Sequence, residues 1–170
     1  FEAIDEDALP PASDATYAVL KEQLESEKQS RVCKAELWMG VNHMSGWHLS
    51  LGDIAREQPI VTAQDRAQAL ERWNATPAYV DAQIANLRER MRQGYTSPRS
   101  VTQRVLGQLD ALTALEAEKS PLSSPATRSD DAAFKAAFVQ VIATRVTPAL
   151  KRYAAFLRDE SERAVMQKLV

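Results

Sequence analysis

Apolar residues recur at spacings of three and four along nearly every long stretch of this chain, and none of those stretches alternates at the two-residue period of a strand. Val80, Ile84, Leu87 and Met91 form one such stripe, and Val101, Val105, Leu109 and Leu112 form the next. A third runs through Phe134, Phe138, Val141, Ile142 and Val146 to Leu150, Tyr153 and Leu157. Each stripe requires a helix with one face inward. The fold expected is therefore all-α, a mostly antiparallel bundle of about five or six helices. Glycine, with 5 in 170 residues, is too scarce to oppose it.

The ends of these helices are also written in the sequence. Thr62-Ala63-Gln64-Asp65 has the spacing of a capping box and opens a helix carrying Ala69, Leu70 and Trp73 inward. Thr76-Pro77 and Ser97-Pro98 each place a capping hydroxyl before a first-turn proline, whose missing N–H costs nothing there. Gly94 stands where a helix needs a left-handed terminator. Two antiparallel helices joined by a short turn follow from this punctuation. An earlier helix opens at Ser13 or Asp14, with Tyr17, Leu20 and Leu24 on one face, and a last helical region begins near Asp130 or Asp131. Thr147-Pro148 either kinks that region or restarts it with the same side inward. Residues 117–130, rich in Pro and Ser, read as an internal loop. The whole, 1–170, reads as one helical domain or lobe.

The segment from Leu37 to Leu49 is the least helical, with two glycines, two tryptophans and both histidines. It reads as an ordered aromatic and glycine loop holding at most a short turn of helix. Chemistry is thin elsewhere too. His43 and His48 would point roughly 140° apart on a helix, so they do not make the i, i+4 zinc pair. Ser45 lacks the Gly-x-Ser-x-Gly setting of a serine nucleophile. The single cysteine, Cys33, excludes an internal disulfide and reads as a small residue half buried in a helix. No catalytic or metal-binding residue is assigned, and no cofactor. The residues best placed to face a substrate or a second lobe are Trp38, Met39, His43, Met44, Ser45, Trp47 and His48.

A net charge of −2 gives no overall field for nucleic acid, and the run Arg88, Arg90, Arg92, Arg99 and Arg104 reads as a solvated helix face. No apolar run reaches the length needed to span a bilayer. The chain opens on Phe1 and not Met, which suggests a trimmed chain or a piece of a longer protein.

The order of features is more specific than any one of them. Val41-Asn42-His43-Met44-Ser45-Gly46, Gln58-Pro59, the Thr62 to Asp65 box, Trp73 to Tyr79, and Asn86 through Gly94 to Val101 follow one another, then Ser120-Pro121, Thr147-Pro148-Ala149-Leu150 and Phe156-Leu157. In this order the chain resembles the N-terminal part of the bacterial domain-of-unknown-function-885 family. That resemblance implies a much longer protein, exported to the periplasm or lipid-anchored, similar to helical zinc metallopeptidases. The family's zinc motif lies towards the C-terminus and is absent from this chain, so none of its metal or catalytic residues carries over. The expectation is a non-catalytic helical lobe that walls a substrate cleft, with zinc in the full-length protein and with the missing C-terminal portion and a peptide substrate as partners. The alternative is a free-standing helical protein–protein interaction module.

Overall fold

The computed structural model describes residues 4–5, 8–33 and 40–161. The fold is all-α, and no strand occurs among the described residues. The chain divides into two compact units, Phe1–Leu37 and Trp38–Val170, a finer division than the single domain read from sequence.

The first unit is built on α1, Pro11–Ser30, and a 3₁₀ turn, Arg31–Cys33. Pro11 takes the first helical position, ahead of the Ser13 or Asp14 start read from sequence. None of its residues is buried, and Val19, Leu20 and Leu24 are exposed. Cys33, expected half buried in a helix, is exposed on the 3₁₀ turn.

The second unit contains α2 (Trp47–Glu57), α3 (Ala63–Asn74), α4 (Thr76–Arg92) and α5 (Arg99–Thr113). After these come a short α6 (Ser124–Arg128), α7 (Ala132–Val141) and α8 (Thr147–Phe156). The capping box at the head of α3 is complete: Asp65 N–H donates to Thr62 Oγ1 at 3.0 Å, and Thr62 N–H to the Asp65 carboxylate at 2.8 Å. One residue, Ala75, separates α3 from α4, because Pro77 has no N–H to carry the α3 ladder onward. Here and at Arg99 the break is made by proline. Neither Thr76 nor Ser97 caps the helix that follows with its side chain. Gly94 ends α4 with φ 88°, and Tyr95 N–H reaches back to the Arg90 carbonyl at 2.9 Å, closing a Schellman turn. Asp131 caps α7 by accepting from Phe134 N–H at 3.0 Å.

Pro148 lies in the first turn of α8, so the last helical region restarts there, the second of the two outcomes read from the sequence. Helices α7 and α8 are joined through a π turn, Ile142–Val146, in which Thr147 N–H donates to the Ile142 carbonyl. The widened turn leaves Ala143, Thr144 and Arg145 at the exposed surface, where water can serve the carbonyls that proline leaves without a donor.

Contacts between the α3–α4 pair and the α7–α8 rod advance together along both. Arg66 meets Asp131, Trp73 meets Phe138, Asp81 meets Arg152, and Arg88 lies over the Phe156 ring. These two rods therefore run in the same direction, so a parallel pair lies within a packing expected to be mostly antiparallel. Both α4 and α5 pack on α8, and the core between them holds Val80, Val105, Leu109, Leu150, Tyr153 and Leu157. Each such side chain, fully buried, stabilises the unit by about 1.5–3 kcal/mol.

Residues 117–128, read as loop, are folded into two 3₁₀ turns and α6. The prolines that argued against helix here start turns instead: Ser120 caps the second turn from before Pro121, and Pro125 is buried in α6. Arg128 then donates to the carbonyls of Ala55 and Gln58 at 3.1 and 2.8 Å, tying α6 to the end of α2.

Candidate functional site

The segment singled out in the sequence begins, among the described residues, at Gly40. A Cβ at Gly40 would meet the Arg90 guanidinium, so the lack of a side chain lets residues 40–46, a strap before α2, lie against α4 without moving that arginine. Asn42 then shapes the turn: its Oδ1 accepts from Met44 N–H at 2.8 Å and Ser45 N–H at 3.1 Å. The turn ends sooner than the sequence suggested, since α2 starts at Trp47 with Gly46 before it. Trp47 and His48 are thus helical residues.

His48 is buried, and its Nε2 lies 2.9 Å from Gln108 Oε1. Burial holds the imidazole below its ordinary range, with the Gln108 bond acting the other way. Gln108 Nε2 donates at 2.9 Å to the backbone carbonyl of His43, and Arg104 Nη1 lies 3.1 Å from His43 Nε2. One face of α5 therefore engages both histidines. Met44 is 80% exposed and Ser45 is exposed, so neither joins them. Trp38 and Met39 lie outside the described residues.

Trp47 points the other way, towards the aromatic side of the unit. Its ring stands edge-on to Tyr79 at 5.4 Å and to Tyr153 at 5.0 Å. Burial pushes the Tyr153 phenol up to about 12, against the Trp47 indole and the Arg90 guanidinium, which pull it down. Beside Trp47 an open groove of about 450 Å³ passes between α2 and the α3–α4 junction. Leu51 and Ile54 form one wall, Trp73, Thr76 and Tyr79 the other, and Arg72 stands at the rim, bonded to Gln58. Its lining is mainly apolar, and Ile54 and Tyr79 are each over two-fifths exposed.

Of the seven candidates, then, the structure joins His43 with His48 and places Trp47 in a groove. Sequence reading missed Gln108 and Arg104, which sit one turn apart in the middle of an ordinary amphipathic helix. It also missed Ile54, Tyr79 and Tyr153. No local signal marks these residues, because only tertiary packing brings them to the segment.

Among the described residues, no three His, Cys, Asp or Glu side chains are grouped to hold a metal. None of the described helices is long and apolar enough to cross a membrane. The arginine run is spread over several environments: Arg90 is buried, Arg92 pairs with Glu89, and Arg104 meets His43.

No curated protein and no solved structure matches the chain. Residues 1–168, with the strap, the capping box and the paired rods described above, match the model of a family described as bacterial protein of unknown function, DUF885, and the chain belongs to that family.

Proposed function

We propose that this chain is the non-catalytic N-terminal helical lobe of a zinc-dependent, peptidase-like bacterial protein. In this reading its groove beside Trp47 walls the substrate cleft where the C-terminal portion closes over it. The observation that supports it is the groove itself. Three aromatic residues, Trp47, Trp73 and Tyr79, line an open channel with Leu51 and Ile54 at a helix junction, the kind of surface that a protein keeps for contact with another chain segment or a ligand. The reaction's zinc belongs, on this reading, to the C-terminal portion.

The test is the full-length gene product. Elemental analysis, peptide hydrolysis and side-chain footprinting of Tyr79 and Ile54 are run on it beside the present chain. Zinc, peptide cleavage and protection of both residues are expected in the longer protein. A product no longer than this chain, or one that neither binds zinc nor cleaves peptides, rejects the proposal. Protection of the groove without either property favours the interaction module instead.

A further inference from the structure

Helix α5 holds the strap through Arg104 and Gln108, which between them reach both histidines. An arginine can only donate, so the 3.1 Å contact from Arg104 makes His43 Nε2 the acceptor and leaves the ring proton on Nδ1. That Nδ1 is buried and has no hydrogen-bond partner. Gln108 gives its N–H to the His43 carbonyl, which leaves Oε1 to accept from His48 Nε2–H. The His43 ring thus accepts at Nε2 and the His48 ring donates from Nε2, both with side chains of one helix face.

We propose that this clasp is acid-labile: one proton taken up at His43 Nε2 releases the 42–46 turn from α5. The added proton places an N–H against the Arg104 N–H and a cation against a cation. Among the described residues, the nearby carboxylates are engaged elsewhere. On α5, Asp110 pairs with Arg158, and on α4, Glu89 pairs with Arg92 while Arg90 lies at Gly40. Arg128, on the α6 side of α2, is bound to carbonyls at the far end of that helix. Among the described residues no carboxylate pairs with either ring.

His48 acts in the same sense. Its charged form is opposed by burial, so the clasped state binds fewer protons than the open one. His48 therefore contributes fully to the clasp above its ordinary value of 6.5, and that contribution is lost as pH falls through its lowered value. Since Trp47 follows the turn directly, opening frees the first turn of α2 and with it one end of the groove. The inference does not depend on the proposed function.

Hydrogen–deuterium exchange of the purified chain between pH 7.5 and 5.5, corrected for intrinsic rates, reads the clasp. Peptides covering residues 40–50 should lose protection about three- to tenfold on acidification, the range expected for one hydrogen bond, while those covering 147–156 stay unchanged. His43→Gln presents an acceptor that takes no proton, so the turn should lose less protection on acidification than in the wild-type chain, the remaining loss coming from His48. Arg104→Glu, at an exposed position, should reverse the sign and tighten the turn in acid. A turn whose protection does not change with pH in the wild-type chain overturns the proposal. So does loss of protection in 40–50 and 147–156 together, or acid opening in the Arg104→Glu variant equal to wild type. That last variant decides the matter should His43→Gln fail to fold.

Discussion

The Trp47 indole stands edge-on against the Tyr153 phenol, ring centroids 5.0 Å apart and planes inclined at 60°. The first residue of α2 is thereby joined to the middle of α8. Replacing Trp47 by Ala removes this contact and the one to Tyr79, and should lower unfolding stability by about 2–3 kcal/mol. Trp47→Phe should recover more than half of that loss. Urea denaturation followed by circular dichroism measures both.

Tyr153 should remain a phenol at pH values where free tyrosine ionises. Its folded value is raised from 10.0 to about 12, so the unfolded chain releases this proton first. The stability it contributes is complete below pH 10 and is lost as pH rises from there towards 12. Tyr153→Phe should flatten that part of the stability profile, read by urea denaturation at successive alkaline pH values.

At Gly94 the backbone has φ 88°, a conformation that a Cβ disfavours. Gly94→Ala should cost about 1–2 kcal/mol without changing helix content. Gly94→Asn should cost less. A thermal melt of the three proteins orders them.

Arg128 places one nitrogen between two carbonyls at the end of α2. Arg128→Met keeps the apolar stem but strips both acceptors of a charged donor, and should destabilise by about 2 kcal/mol. Arg128→Lys should restore only part, because a single ammonium has no fixed fork. Exchange at the end of α2 should rise in both variants.

The features legible in the sequence were those decided within one helical turn. Thr62 and Asp65 satisfy each other's backbone, Asp131 caps Phe134, and Gly94 takes the left-handed angle; each needs only neighbours three or four residues away. Helix α2 was hidden because its buried side is His48, Leu51 and Ala55, one imidazole, one leucine and one methyl group, which make no recognisable stripe. The same limit hid the turns at 117–128, whose helical character depends on packing against α2 and α7. At the candidate site the sequence supplied His43, Trp47 and His48. Gln108, Arg104 and Tyr153 could not be found this way, since nothing at their own positions distinguishes a residue that bonds a distant strap from one that faces water or core.

The matched direction of the α3–α4 and α7–α8 rods has a consequence for synthesis of the chain. Asp81 waits for Arg152, 71 residues later, and Ala55 waits 73 residues for Arg128. A ribosome at ordinary speed adds that much chain in about 4–15 s, during which Trp73 and Val80 have no rod to cover them. The second unit should therefore assemble late and in one event, when α8 has cleared the exit tunnel. Nascent chains halted before that point should stay sensitive to protease through α3 and α4.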